Sequence, residues 1–137
     1  MSDLRDHILI VDDEFMICEL LTIFVEDIGR AVCGTAATAD EAIALAQQHR
    51  PAIVLMDMRL RGKKDGVDAG IVIHDTVGSK VIFITGSSEP STFTRISLDH
   101  PSSVLTKPVN ERQLREAIER ASRGVDGDQA TAARAPA

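Results

Sequence analysis

The feature that most limits how this chain can fold is a run of five apolar residues, 52–56, that ends directly at Asp57. A polar, glycine-containing loop follows at residues 58–66. A short continuous apolar run bounded by a turn is typical of a strand that is buried on both faces, as in the middle of a parallel sheet. Ligands of such sheets bind in the crevice beyond the carboxyl ends of the strands. We therefore expect Asp57 to stand at a binding crevice.

Strand and helix patterns alternate five times along the chain. The strand patterns cover residues 7–11, 31–35, 52–57, 80–84 and 102–106, and the helix patterns cover residues 14–28, 38–49, 65–78, 90–100 and 110–121. Strict alternation predicts an α/β fold in which helices cover both faces of a parallel sheet. We predict a flavodoxin-like (βα)5 fold with a five-stranded parallel sheet in the order 2-1-3-4-5. The switch point of that sheet lies between the first and third strands.

Several sequence signals set the expected helix faces and ends. In the first helix, helical spacing predicts an inward face at Ile17, Leu20, Leu21, Phe24 and Ile28. Capping signals begin three other helices, at Thr38 with Glu41, at Asp65, and at Asn110 with Gln113. In the last helix the inward face is predicted at Leu114, Ala117, Ile118 and Ala121. The helix at 90–100 is poor in strong helix formers, and Phe93 is its expected core contact.

Length and composition predict one domain at residues 6–123 of the 137-residue chain. Residues 124–137 hold almost no bulky apolar side chain, so we expect a disordered tail there. The net charge of −6 makes a nucleic-acid partner unfavourable. No apolar run approaches the roughly 18 residues of a membrane span, and the polar start of the chain lacks a signal-peptide core, which favours the cytoplasm. Cys18 and Cys33 are expected to be reduced.

Acidic side chains follow two strands that the predicted topology places side by side. Asp12 and Asp13 end the first strand, and Asp57 ends the third. Three ionised carboxylates in contact require a nearby cation. Oxygen ligands favour Mg²⁺ or Mn²⁺ over Zn²⁺. The sequence therefore predicts a divalent metal site at the carboxyl edge of the sheet.

A hydroxyl and an ammonium group join the same edge, because Thr85 ends the fourth strand and Lys107 ends the fifth. A metal, a lysine, a hydroxyl donor and a free carboxylate can together receive a phosphoryl group, with aspartate as the nucleophile. Taken singly, each residue also has a plain structural interpretation. Asp12 and Asp13 are typical of a helix start, Asp57 of a loop, Thr85 of a turn, and Lys107 of a surface charge. Their joint position at strand ends favours a phosphoryl-transfer site.

The order Asp12-Asp13, Asp57, Thr85 and Lys107-Pro108 resembles the receiver domain of two-component response regulators over roughly residues 6–123. The resemblance implies that Asp57 is the phosphoacceptor, that Thr85 is the switch hydroxyl and that Lys107 contacts the phosphate. It also implies a cis peptide bond between Lys107 and Pro108.

The resemblance also implies a set of Mg²⁺ ligands. Asp13 and Asp57 would bind the ion directly, Asp12 mainly through water, and Arg59 through its backbone carbonyl. The phosphoryl group would come from a phosphohistidine on a sensor histidine kinase or a histidine phosphotransfer protein. We expect a monomer or a weak homodimer.

The chain departs from the family pattern at two places. Val104 stands where an aromatic residue is usual on the fifth strand, and the loop at 58–66 is longer by one residue and lacks a common proline. The fourth strand carries Phe83, Thr85 and Gly86, which resembles the Phe-x-Thr-Gly signature of a subgroup of stand-alone receivers. The resemblance thus implies a single-domain regulator that signals by protein contact or by phosphorelay.

Two alternatives belong to other functional classes. A pseudo-receiver would be an interaction module that is never phosphorylated. A phosphatase of the haloacid dehalogenase type would need a second aspartate two residues after its nucleophile, but positions 14 and 59 hold Glu14 and Arg59. We therefore expect a protein that catalyses only its own phosphorylation and dephosphorylation.

Overall fold

The structure is a computed structural model of the 137-residue chain, and it describes residues 7–86, 90–98 and 101–123. In this part of the chain, strands and helices alternate throughout. The elements are β1 (His7–Val11), α1 (Phe15–Asp27), β2 (Ala31–Ala36), α2 (Ala39–His49), β3 (Ile53–Asp57), α3 (Gly66–Thr76), β4 (Lys80–Thr85), α4 (Pro90–Ser97), β5 (Ser103–Thr106) and α5 (Glu111–Ser122). The predicted tail at 124–137 lies outside the described residues.

The five strands form one parallel sheet in the order β2-β1-β3-β4-β5. This confirms the predicted flavodoxin-like fold and its switch point between β1 and β3. β2 lies at the edge, and its register against β1 shifts between Ile8 and Leu9. Since all strands run the same way, the residues that follow β1, β3, β4 and β5 meet at one edge of the sheet.

Side chains that alternate along each strand fill two separate core layers. Leu9 and Val11 of β1 point to the layer that α2, α3 and α4 cover, and Ile8 and Ile10 point to the layer under α1 and α5. Every residue of β3 is buried, as expected for a central strand with helices on both faces. The end of β3, where Asp57 lies, is therefore held by packing on both sides.

The helix ends follow the predicted caps with one change. Asp65 begins α3 and Asn110 begins α5 with complete capping boxes. The Thr38 hydroxyl accepts from the N–H of Glu41 at 3.1 Å, but the Glu41 carboxylate accepts from the N–H of Ala37 instead of that of Thr38. The predicted inward face of α5 is confirmed, since its four apolar residues are all buried.

Two predicted helix faces are wrong in part. The buried residues of α1 are Cys18, Leu21 and Val25, whereas Leu20 is 42% exposed. α1 carries more apolar residues than the core can accept, so spacing alone does not identify its inner face. Phe93 of α4 is 37% exposed, and Ile96 is the α4 residue that enters the core. Within the described residues, no helix has the length and hydropathy that a membrane span requires.

Candidate functional site

The carboxyl ends of β1 and β3 bring three acidic side chains together. One carboxylate oxygen from each of Asp12, Asp13 and Asp57 lies within 4.8 Å of the others. Asp12 is 3% exposed and Asp57 is 5% exposed, whereas Asp13 is half-buried. The cluster is thus open to solvent on the side of Asp13 and closed behind the other two.

Lys107 extends into this cluster from the end of β5. Its Nζ atom lies 3.1 Å from Oδ2 of Asp12 and 3.4 Å from Oδ1 of Asp57. Among the described residues, it is the one cation within 4 Å of the clustered acids. The Lys107–Pro108 peptide bond is cis, as the family resemblance implied.

The charges in the cluster do not balance, because three carboxylates face one ammonium group. Burial and the neighbouring charge of Asp12 raise the pKa of Asp57 to about 6, although Lys107 and a backbone hydrogen bond from Arg59 oppose the shift. Burial alone would lower the pKa of Lys107, but its contacts with Asp12 and Asp57 outweigh burial and raise it. Oxygen donors with excess negative charge and one open side fit a hard divalent cation such as Mg²⁺.

Thr85 is the last residue of β4 and is 2% exposed. β4 lies between β3 and β5, so Thr85 ends the strand that separates Asp57 from Lys107. The backbone N–H of Lys107 donates to the carbonyl of Thr85 at 2.8 Å. All the predicted catalytic side chains therefore lie at the same edge of the sheet.

Arg59 lies two residues beyond the end of β3. Its side chain is exposed, and its backbone donates the hydrogen bond to the Asp57 carboxylate that lowers the pKa of Asp57. The backbone of Arg59 is thus a neighbour of the acid cluster. Its carbonyl as a metal ligand stays a prediction.

Gly66 supports the site in a way that the sequence did not reveal. A Cβ atom on Gly66 would lie 2.1 Å from the carbonyl oxygen of Asp57, which is far inside any permitted contact. The N–H of Gly66 also donates to the carbonyl of Met58 at 2.8 Å. The loop that follows Asp57 can therefore close only on a glycine. In the sequence, Asp65 predicts only the start of a helix.

Cys18 is a second support that sequence reasoning missed. Its Sγ atom donates to the backbone carbonyl of Asp12 at 3.4 Å. Burial, and next the charge of Asp12, raise the pKa of the Cys18 thiol to about 11, so the donor proton is kept at neutral pH. The Oδ1 atom of Asp12 in turn accepts from the N–H of Glu14 at 2.9 Å. These bonds hold Asp12 in place at the start of α1.

Cys18 and Cys33 are both free thiols, as predicted.

Comparison with known proteins agrees with this geometry. Residues 8–119 match the family model of the response regulator receiver domain. The chain is 32% identical over 121 residues to the phyllosphere-induced regulator PhyR of Methylorubrum extorquens. The matched region covers 88% of this chain and 45% of PhyR. The chain is also 30% identical over 113 residues to the transcriptional regulatory protein PdtaR of Mycobacterium tuberculosis. That matched region covers 82% of this chain and 55% of PdtaR. The chain thus spans about half the length of these curated relatives.

Two solved structures are similar in both fold and sequence. The signal receiver domain of a modulated diguanylate cyclase from Desulfovibrio desulfuricans superimposes with a TM-score of 0.81 and 34% identity, over 85% of this chain and 93% of that one. The receiver domain of PhyR from Erythrobacter litoralis superimposes with a TM-score of 0.77 and 31% identity, over 88% of this chain and 92% of that one.

Proposed function

Since this chain belongs to the response regulator receiver domain family, we propose that it takes a phosphoryl group from a phosphohistidine onto Asp57 in a Mg²⁺-dependent reaction. The observation that carries the proposal is the contact of Lys107 with Asp57 inside a cluster of three carboxylates. A buried acid beside an ammonium group and two further acids is suited to nucleophilic attack on a charged phosphoryl group.

The proposed step forms one bond and breaks one. A carboxylate oxygen of Asp57 attacks phosphorus, and the phosphorus–nitrogen bond to the donor histidine breaks. The bonding electrons go to the imidazole nitrogen, and the product is an aspartyl phosphate. Because the pKa of Asp57 is about 6, its carboxylate is mostly ionised at neutral pH, as a nucleophile must be.

Each neighbouring group has a proposed role in that step. Lys107 contacts the incoming phosphoryl oxygens, and the Thr85 hydroxyl donates to one of them once the group has arrived. Asp12, Asp13, Asp57 and the Arg59 carbonyl would hold Mg²⁺, which neutralises charge on the phosphoryl oxygens when it is bound. Hydrolysis of the aspartyl phosphate by water at the same site would return the chain to its starting state.

The exposed side of α1 supports a protein as the phosphoryl donor. α1 begins two residues after Asp13 and shows four large apolar side chains to solvent. These are Phe15 (73% exposed), Met16 (74%), Leu20 (42%) and Ile23 (54%). Apolar side chains grouped on one exposed surface are typical of an interaction site. We propose that the domain that carries the phosphohistidine packs against this surface, which would place its histidine near Asp57.

Output is proposed to pass by protein contact or by phosphorelay to another histidine. The proposed receiver domain covers residues 6–123.

Incubation with acetyl phosphate and Mg²⁺, followed by intact-mass measurement, tests the function. We expect wild type to gain the mass of one phosphoryl group, and Asp57→Asn to gain none. A wild-type chain that gains no phosphoryl group would favour the pseudo-receiver alternative. Phosphorylated histidine kinases from the source organism can then be tested as donors to the same two proteins.

A further inference from the structure

α4 is joined to the start of α3 by one arginine. The Nε atom of Arg95 donates to Oδ2 of Asp65 at 2.8 Å, and its Nη2 atom donates to Oδ1 of Asp65 at 3.1 Å. The same Nη2 atom lies 2.9 Å from Oδ1 of Asp68. Two nitrogens on one carboxylate form the forked pairing in which arginine is most directional. We call Arg95, Asp65 and Asp68 the arginine clasp.

The two acids of the arginine clasp also cap α3. The Asp68 N–H donates to Oδ1 of Asp65 at 3.0 Å, and the Asp65 N–H donates to Oδ2 of Asp68 at 2.9 Å. Burial alone would raise the pKa of Asp65, but hydrogen bonds from Arg95 and from the Asp68 backbone outweigh burial and lower it. Asp65 is therefore ionised at neutral pH, and a displacement of the first turn of α3 would displace the atoms that Arg95 grips.

The first turn of α3 rests directly on the phosphoacceptor strand. Gly66 follows Asp65 in the chain, and it packs so closely on the Asp57 carbonyl that no Cβ atom fits between them. The Gly66 N–H also holds the Met58 carbonyl. A continuous path of close contacts thus runs from Asp57 through Gly66 and Asp65 to Arg95 and α4.

α4 is anchored in the core next to Arg95. Ile96, the neighbour of Arg95, is completely buried. The helix is 8 residues long and is rich in serine and threonine, which are modest helix formers. On β5, Val104 holds the position at which the family resemblance leads us to expect an aromatic side chain.

We propose that Arg95 is a positioning residue that couples the state of Asp57 to the arrangement of α4 through Asp65 and Gly66. This inference rests on the proposed function, because phosphorylation of Asp57 is the event that is transmitted. Coupling between two sites is reciprocal, so the clasp that reports the state of the pocket also biases the pocket itself.

A purely structural ion pair is the plain alternative. The clasp side chains are 29–41% exposed, and pairs that water reaches often add little stability. Such a pair would influence thermal unfolding slightly and would leave communication between Asp57 and α4 intact. The test must therefore measure communication in addition to stability.

Backbone amide shifts in ¹H–¹⁵N NMR spectra give that measurement, with Mg²⁺ and beryllofluoride as the phosphoryl mimic. In wild type we expect shifts both around Asp57 and throughout residues 90–98. In Arg95→Gln we expect the shifts around Asp57 to persist and most of the response in 90–98 to disappear. Arg95→Lys keeps the charge but loses the fork, so we expect an intermediate response. By linkage, the midpoint of the beryllofluoride titration in Arg95→Gln should move by about fivefold or more.

Arg112→Gln is the matched control. It removes one arginine from an exposed pair with Glu116 on α5, and we expect a wild-type response from it. A wild-type response of residues 90–98 in Arg95→Gln, or an unchanged titration midpoint, would overturn the inference. So would a wild type in which the pocket binds beryllofluoride while residues 90–98 do not respond. Absence of any shift around Asp57 in wild type would instead contradict the proposed function, and the inference with it.

Discussion

Lys107 and Asp57 lie two strands apart in the sheet, yet the lysine Nζ atom is 3.4 Å from Oδ1 of Asp57. The lysine side chain therefore crosses the end of β4 to reach the end of β3. The contact lowers the pKa of Asp57, while burial and Asp12 raise it to about 6. Lys107 thus helps to keep the proposed nucleophile ionised at neutral pH.

Replacing Lys107 by methionine removes the cation from this contact. Because Asp12 and Asp57 are nearly completely buried, the loss leaves their charges without a counter-charge. We expect Lys107→Met to lower the free energy of unfolding at pH 7 by about 2 kcal/mol without metal, as measured by urea titration with far-ultraviolet circular dichroism. We expect phosphorylation by acetyl phosphate to slow by about tenfold or more.

Lys64→Met is the control for that change. Lys64 pairs with Asp40 at 3.0 Å, and both side chains are mostly exposed. Exposed pairs add little stability, so we expect a change below about 0.5 kcal/mol and an unchanged phosphorylation rate. Equal losses in the two variants would show that the buried contact has no special role.

The raised pKa of Asp57 predicts a pH dependence of stability. Between pH 3.8, the ordinary pKa of an aspartate, and about pH 6, the folded chain holds a proton on Asp57 that the unfolded chain has released. The contribution of Asp57 to the free energy of unfolding is therefore present below pH 3.8 and is lost as the pH rises through about 6.

Asp57→Asn removes this dependence. We expect the variant to match wild type near pH 4 and to exceed it near pH 7, by on the order of 3 kcal/mol without metal. Saturating Mg²⁺ should reduce the difference, because the ion stabilises the ionised wild-type pocket. Urea titrations at several pH values measure this difference in the free energy of unfolding. A difference between the two proteins that does not vary with pH would contradict the assignment.

The contact between Gly66 and Asp57 predicts that the glycine cannot be replaced. In Gly66→Ala the new Cβ would meet backbone atoms of Asp57, so the loop must shift. We expect the free energy of unfolding to fall by about 3 kcal/mol and phosphorylation to slow. In Gly34→Ala the nearest atom to the new Cβ is Leu45 Cδ1 at 3.6 Å, an ordinary contact. That control should change stability by less than about 1 kcal/mol.

Asp13 is the half-buried acid of the cluster, on the side where a metal ion can enter, so its charge should contribute to Mg²⁺ affinity. We expect Asp13→Asn to weaken Mg²⁺ binding by about tenfold or more, because the variant removes one negative charge from the cluster. Calorimetric titration suits this chain, which has no Trp or Tyr for intrinsic fluorescence. Asp75→Asn removes an exposed acid near the end of α3 and should leave the affinity unchanged. A normal Mg²⁺ affinity in Asp13→Asn would show that the ion does not bind at this cluster.

The periodicity of the sequence was sufficient for much of the fold. The burial of all of β3 and the inner face of α5 at Leu114, Ala117, Ile118 and Ala121 both follow the predicted pattern. Periodicity was insufficient for α1, where Leu20 is exposed, and for Phe93 of α4. Apolar side chains cover two sides of α1, and only packing against β1 and α5 selects the buried one.

The amino-acid order alone determined the parallel topology and the meeting of Asp12, Asp13, Asp57, Thr85 and Lys107 at one edge. All strands of a parallel sheet run in the same direction, so the residues that end them lie at the same edge. Only the tertiary structure decided the contacts made by atoms that carry no sequence signature. The Asp57 carbonyl pressed against Gly66 and the grip of Arg95 on Asp65 are of this kind. A glycine in a loop or an arginine on a helix looks the same in any sequence, and its role depends on which distant backbone or carboxylate folding brings within reach.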